Sequence, residues 1–139
     1  MNRAVFDTNV VVSGFLSPVG SPGRIVEWLR VGSVQAVLDD RIAAEYSEVL
    51  SRPGFQLPAA EVELVLAAIR AQALWVGVLP GQTVKGLPDP DDAPFLECAR
   101  TAGVPLVTGN ARQFPKSMAG DVAILTPAQF VASQELRTS

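Results

Sequence analysis

A chain of 139 residues, 48% hydrophobic and 18% charged, has the length and composition of one folded domain, which we place at residues 1–139. It has no histidine and one cysteine, which excludes histidine acid–base catalysis, zinc sites built from histidine or thiolates, and a disulfide framework. The net charge of −3 argues mildly against generic nucleic-acid binding, because such domains are usually basic. Any bound metal ion needs oxygen ligands, which suit Mg²⁺, Mn²⁺ or Ca²⁺.

The apolar stretches are too short to cross a bilayer, and a charged side chain follows the first residues almost at once. We therefore expect neither a secretory signal nor a membrane partner. The single cysteine, Cys98, fits a reducing compartment, so a cytoplasmic location is predicted.

The first half of the chain alternates strands and helices. Residues 3–6 predict a buried strand, and the polar turn at residues 7–9 predicts a helix after it, since Asp, Thr and Asn cap helices well. A second helix at residues 21–32 has Pro near its start and Gly at its end. Residues 34–38 predict a second strand, followed by a helix capped by two aspartates over residues 39–50.

The second half continues the alternation. A helix from Pro58 precedes a predicted strand at residues 74–79. A loop rich in Gly and Pro then spans residues 81–90, before a helix at residues 93–101. Two further strands and a final helix complete the prediction: residues 106–108, residues 123–125 and a helix from Pro127. Strands alternating with helices predict an α/β fold with a parallel sheet covered on both faces.

Oxygen-bearing side chains follow four of the predicted strands. Because ligands of open parallel sheets bind at the carboxyl ends of the strands, we expect these side chains to share one edge. They are Asp7, Glu45, the group Asp89, Asp91 and Asp92, and Asn110. Clustered carboxylates repel one another unless a cation binds, and a divalent cation also assists attack on a phosphodiester. The sequence therefore predicts a metal-dependent site.

Two glutamates on the third predicted helix are separated by helix geometry. The apolar face of that helix points inward; Glu45 flanks this face, and Glu48 lies nearly opposite it. Glu45 is therefore the better candidate to reach a pocket. Each acid also has a purely structural explanation, as a helix cap, a turn residue or a flanking residue, and only their joint placement favours a site.

Four segments, in order, resemble the motifs of the PIN-domain family. They are residues 6–13 (FDTNVVVS), 45–53 (EYSEVLSRP), 89–99 (DPDDAPFLECA), and 107–110 (VTGN) followed by Phe114-Pro115. The resemblance covers residues 3 to about 132. It implies a three-layer α/β/α sandwich with a central, mainly parallel, five-stranded sheet. It also implies metal-dependent cleavage of single-stranded RNA with Mg²⁺ or Mn²⁺.

The resemblance assigns catalytic and metal-binding roles to Asp7, Glu45 and Asp92. Asn110 and Asp89 are further metal ligands on the same basis, with Asp91 an alternative to Asp89. Asn9 and Thr108 are supporting residues. Many family members carry Asp where this chain has Asn110, so a second metal ion is expected to bind weakly here. Residues 108–110 (Thr-Gly-Asn) resemble a PIN subgroup with this fourth motif, so the departure does not imply inactivity.

Many small bacterial members of this family are VapC-type toxins, which act as dimers and are inhibited by a cognate antitoxin. The resemblance therefore implies a cognate antitoxin partner and a homodimer for this chain. Arg112 and Lys116 are the candidate RNA-binding residues nearest a motif. Other candidates are Arg24, Arg41, Arg52 and Lys85.

Two other functions compete with the nuclease. A catalytically impaired RNA- or protein-binding module is favoured by the missing charge at Asn110. An aspartate-nucleophile phosphatase of the haloacid-dehalogenase type also has an aspartate after its first strand, but this chain has Asn9 where those enzymes repeat Asp.

Overall fold

Five short strands alternate with helices in the computed structural model, which describes residues 2–138, with side chains as far as residue 136. The strands are β1 (Arg3–Phe6), β2 (Gln35–Leu38), β3 (Leu74–Trp75), β4 (Leu106–Val107) and β5 (Ile124–Leu125). The helices of the described chain are α1 (Thr8–Leu16), α2 (Ser21–Val31), α3 (Asp40–Leu50), α4 (Ala59–Gln72), α5 (Ala93–Ala102), α6 (Lys116–Ala119) and α7 (Pro127–Thr138).

The strands form one sheet in the order β3-β2-β1-β4-β5, and every strand pairing in the described chain is parallel. The helices α1, α2, α4 and α7 form a continuous set of contacts, while α5 packs on β1 and β2. This arrangement confirms the predicted three-layer α/β/α sandwich. The sheet was predicted to be mainly parallel, and within the described residues it is entirely parallel.

The central strand β1 is buried over its last three residues. Ala4, Val5 and Phe6 are fully buried. The Phe6 ring meets Phe130 of α7 edge to face, with ring centroids 5.3 Å apart. Burial on both faces explains why β1 is an uninterrupted apolar run rather than an alternating one. It also means that the first polar residue after β1, Asp7, is attached to a closely packed strand.

Local sequence signals account for most helix ends. The Asp39 side chain accepts hydrogen bonds from the backbone N–H groups of Arg41 and Ile42, which caps α3 as predicted. Gly32 and Gly103 end α2 and α5 with positive φ values of 86° and 67°, a conformation that glycine adopts without strain. No helix among the described residues is long and apolar enough to span a membrane.

Three sequence-based predictions of local structure need correction. The strand predicted at residues 74–79 is confined to Leu74–Trp75, because its neighbour β2 ends at Leu38, which pairs with Trp75. The first helix begins at Thr8 rather than after Asn9, with Asp7 in the capping position. The short helix α6 and several 3₁₀ turns, such as Ala111–Gln113, were not predicted, because segments of three or four residues carry almost no periodic signal.

Candidate active site

The strand order reverses between β1 and β4. From β1 the chain continues to β2 on one side, and from β4 it continues to β5 on the other. Ligands of open parallel sheets bind outside the carboxyl ends of the strands at such a point. Phe6 pairs with Val107, so the residues that follow them, Asp7 and Thr108, emerge side by side. The Thr108 hydroxyl donates a hydrogen bond of 2.8 Å to Asp7 Oδ2.

Asp7 is a buried carboxyl group, with 7% of the residue exposed. Burial raises its pKa, and the negative charge of Glu45 raises it further. The hydrogen bond from Thr108 and the backbone N–H groups of Thr8 and Asn9 lower the pKa, but the net direction remains upward. Asp7 therefore sits where a negative charge is costly without a nearby cation.

Glu45 reaches the same place from α3. The Thr8 hydroxyl donates a short hydrogen bond to Glu45 Oε2, and Thr8 directly follows Asp7 in the chain. The next residue on α3, Tyr46, donates its hydroxyl proton to the Phe6 carbonyl oxygen at the end of β1. These two bonds join α3 to the carboxyl end of the central strand and hold Glu45 close to Asp7.

Glu48 lies elsewhere, as the helix geometry predicts. Its side chain is 61% exposed and forms an ion pair with Arg52, one turn further along the chain, at 2.9 Å. Glu45, by contrast, is only partly exposed. The two glutamates are therefore a matched pair of the same type on one helix, one at the candidate site and one in solvent.

Asp92 stands at the start of α5. It occupies the capping position, but its side chain makes no capping hydrogen bond, so the helix does not use its carboxylate. Its pKa is raised to about 7, chiefly by burial, then by the charge of Asp7, and then by the charges of Asp89, Glu45 and Asp91. The three predicted catalytic acids thus interact electrostatically although they come from three separate elements.

Asp89 and Asp91 take less central positions. Asp89 Oδ1 accepts a hydrogen bond of 2.9 Å from the backbone N–H of Asp91, a turn-forming contact at the entrance to α5. Both residues are exposed. Their charges act on Asp92, but the Asp89 side chain already has a structural partner.

The loop after β4 is anchored by the two predicted supporting residues. Asn9 Oδ1 accepts a hydrogen bond of 3.2 Å from the backbone N–H of Gly109. The Thr108 hydroxyl accepts one of 3.0 Å from the backbone N–H of Asn110 while donating to Asp7. The Asn110 residue itself is exposed. Arg112 and Lys116 follow it on the same segment, and both are exposed.

Glu97, a buried acid that the sequence analysis did not identify, connects α3, α5 and the loop at Val84 by hydrogen bonds. Glu97 on α5 is 5% exposed. Its Oε1 accepts a hydrogen bond of 2.8 Å from Arg41 Nη1 on α3, and its Oε2 accepts one of 2.9 Å from the backbone N–H of Val84. Arg41 in turn pairs with Asp39 at 2.7 Å. The one available signal was a charged residue inside the apolar run Phe95-Leu96-Glu97-Cys98-Ala99.

The donor atoms at this edge suit a hard divalent cation. They are carboxylate, hydroxyl and amide oxygens, the ligand types that Mg²⁺ and Mn²⁺ prefer. Within the described residues, no three Asp, Glu or Cys side chains are placed so as to hold one metal ion directly. Mg²⁺ commonly takes one or two protein carboxylates and keeps several waters, so the raised pKa of Asp92 and this donor set fit a partly hydrated ion.

The sequence model of a family described as "PIN domain" matches residues 3–112, which include each of the acids placed at the candidate site. No curated protein matches the chain significantly.

Proposed function

Since the chain belongs to the PIN-domain family, a nuclease-type family, we propose that it is a metal-dependent endoribonuclease that cleaves single-stranded RNA. The observation that carries this proposal is the meeting of acids at the carboxyl edge of the sheet, where Thr108 holds Asp7 and the adjacent Thr8 holds Glu45. Asp7 and Glu45 both raise the pKa of Asp92, although the three residues lie on three different elements. A fold rarely retains such repulsion at the carboxyl edge of its sheet without a cation that relieves it.

Asp7, Glu45 and Asp92 would hold the cation, one or two of them directly and the rest through its bound waters, with Asn110 and Asp89 as additional oxygen donors. A bound Mg²⁺ or Mn²⁺ ion would neutralise the clustered charge and stabilise negative charge on a phosphodiester under attack by water. Asn110 supplies an oxygen without a charge, which supports one strong cation site and a weaker second one.

The protein's own contribution is to fix the directions of two carboxylates. Thr108 holds Asp7 Oδ2, and Thr8 holds Glu45 Oε2, so each acid keeps its other oxygen for a ligand. Hydrogen bonds to the ligating groups of a metal site orient them and sharpen affinity. Asp92 lacks such a partner among the described residues and is the acid with the greatest freedom to turn toward an incoming ion.

The biological role proposed here is that of the toxin in a type II toxin–antitoxin pair, acting in the cytoplasm as a homodimer and inhibited by a cognate antitoxin. The support is the four-motif resemblance to the PIN-domain family, many of whose small bacterial members are VapC-type toxins, together with the family match. Co-purification with the product of the adjacent gene, and the mass of the protein in solution, test the partner and the dimer separately.

The nuclease itself is tested by cleavage of a panel of labelled single-stranded RNAs with Mg²⁺, Mn²⁺ or EDTA. We expect cutting that requires metal and disappears in both Asp7→Asn and Asp92→Asn proteins purified in the same way. Cutting that persists in both variants would be contamination and would contradict the proposal.

The same assay distinguishes the alternative of an impaired binding module. If the wild-type protein retains RNA without cutting it in any metal, and Asn110→Asp restores cutting, the missing charge at residue 110 has silenced the site. The aspartyl-phosphatase alternative rests on Asp7 alone, and family membership favours the nuclease over it.

A further inference from the structure

About half of the positive charges of this protein are neutralised by carboxylates within the fold. Five of its arginines form ion pairs with carboxylates: Arg24, Arg30, Arg41, Arg52 and Arg70. Arg100 donates a hydrogen bond to the Met118 carbonyl oxygen, and Arg3 also has a partner. These side chains have little unbalanced charge to offer a ligand.

Five cations with described side chains lie outside those ion pairs, and two of them, Arg3 and Arg100, are only partly exposed and have other partners. Over residues 2–136, where side chains are described, Lys85, Arg112 and Lys116 form no ion pair with any acid. All three are exposed. Among the side chains that the structure describes, these three are therefore the exposed cations that no carboxylate neutralises.

The fold brings the two segments that carry these cations into contact. A Cβ atom built on Gly86 would lie 3.7 Å from Met118 Cε, so the loop containing Lys85 touches α6, which begins at Lys116. The residue before Lys85, Val84, is held by the buried Glu97. Arg112 lies in the 3₁₀ turn just before α6. Lys85, Arg112 and Lys116 thus lie on two segments that touch each other, and together they are called the basic surface.

Each of the two segments that carry these cations continues along the chain into a part of the acidic site. Arg112 follows Asn110, whose backbone N–H is bonded to Thr108, the partner of Asp7. The loop carrying Lys85 leads directly to the aspartates at the start of α5. A polyanion approaching the carboxylates therefore meets unneutralised positive charge on both segments that flank them.

We infer that Lys85, Arg112 and Lys116 together bind the sugar–phosphate backbone of single-stranded RNA and hold the strand against the acidic edge. The inference rests on the proposed nuclease function and extends it by identifying the surface that holds the substrate. The acids alone repel RNA, so a separate source of affinity is required. Phosphate contacts from basic side chains supply it through release of counterions, independently of base sequence.

The test is equilibrium binding of a fluorescein-labelled single-stranded RNA of mixed sequence in EDTA, followed by fluorescence anisotropy over a series of salt concentrations. A gel after each titration checks that the RNA is intact. The test variant combines Lys85→Gln, Arg112→Gln and Lys116→Gln. The control variant combines Arg24→Gln, Arg30→Gln and Arg52→Gln, which removes the same positive charge from arginines that the fold has paired.

We expect the test variant to bind RNA at least about tenfold more weakly at low salt. The plot of log K against log salt should also become less steep by about 2, because each of the three lost phosphate contacts contributes about 0.7 to its steepness. The control variant should keep most of the wild-type affinity and slope. Circular dichroism and thermal melting confirm that both variants are folded.

Equal losses in the two variants would overturn the inference, because net charge rather than this surface would then govern binding. Unchanged binding by the test variant, or no RNA binding by the wild type at any salt, would also overturn it. The proposed nuclease would survive those results if metal-dependent cutting persisted. Loss of cutting in the Asp7 and Asp92 assays is a separate outcome, so the two failures are distinguishable.

Discussion

The Thr108 hydroxyl donates to Asp7 Oδ2 at 2.8 Å, across the carboxyl ends of two neighbouring parallel strands. The residues are separated by 101 positions in the chain and meet because Phe6 pairs with Val107. The same hydroxyl accepts from the Asn110 N–H, so a single fully buried side chain aligns the first acid and the loop that carries the fourth motif.

Replacement of Thr108 by valine keeps the shape of the side chain and removes the hydroxyl. We expect Thr108→Val to lower metal-dependent cleavage about tenfold to a hundredfold, the usual effect of removing a partner of a metal ligand. The free energy of unfolding should fall by about 1–2 kcal/mol, because the Asn110 N–H loses its acceptor. Thr83→Val, at an exposed threonine, is the control. A fully active Thr108→Val protein would remove Thr108 from the site.

Glu45→Gln and Glu48→Gln make the same chemical change on the same helix. Because Glu45 is held beside Asp7 by Thr8 while Glu48 pairs with Arg52 in solvent, the first should reduce cleavage by orders of magnitude and the second should be nearly silent. Initial rates at saturating Mg²⁺ and at saturating Mn²⁺ measure both. Similar effects of the two substitutions would overturn the assignment of Glu45 to the site.

Asp92→Asn should abolish cleavage and yet stabilise the metal-free protein. The pKa of Asp92 is raised from 3.8 in the unfolded chain to about 7 in the fold, so the folded state binds more protons between these values. The free energy of unfolding therefore falls as the pH rises from about 4 to 7, because the ionised Asp92 carboxylate destabilises the folded state. Since the side chain is partly in solvent, we discount the shift heavily and expect a gain of about 1 kcal/mol at pH 8.

Urea unfolding in EDTA at a series of pH values measures this gain. The difference between Asp92→Asn and the wild type should be largest at pH 8 and should shrink as the pH falls toward 4, where both proteins are neutral at this position. Saturating Mg²⁺ should stabilise the wild type more than the variant. A variant less stable than the wild type at pH 8 would contradict the electrostatic strain described for this residue.

Glu97→Gln tests the buried clamp between α3, α5 and the loop at Val84. Glutamine can accept only one of the two hydrogen bonds that Glu97 accepts, and it leaves Arg41 with only Asp39 as a charged partner. We expect a loss of about 1–3 kcal/mol in the free energy of unfolding. Glu63→Gln, at a side chain that is 68% exposed, is the matched control and should change stability little. Equal stability of the two variants would show that the hydrogen bonds of Glu97 to Arg41 and Val84 do not contribute to the free energy of unfolding.

Cys98 should resist modification in the folded protein. The residue is fully buried, and burial raises the pKa of its thiol to about 12, so the reactive thiolate is scarce at pH 8. Iodoacetamide labelling followed by mass spectrometry should be slow in buffer and fast in urea. Rapid labelling in buffer would mean that α5 opens readily at this position, which would contradict its place in the core.

The sequence by itself determined the alternation of strands and helices, the helix ends at Gly32 and Gly103, and the absence of histidine chemistry, because these depend on composition and on neighbours within a turn. It also placed Asp7 at the end of a strand, Asp92 at the start of a helix and Glu45 beside the apolar face of a helix, and it separated Glu45 from Glu48 by helix geometry.

Only the tertiary structure decided which residues meet across the sheet. The bond from Thr108 to Asp7, the clamp of Glu97 on Arg41 and Val84, and the meeting of the Lys85 loop with α6 all join segments whose separation in sequence carries no periodic or local signal. The length of β3 depended likewise on where its neighbour β2 ends. Strand order and register bring these groups together, and both are set by packing of the whole domain rather than by any single segment.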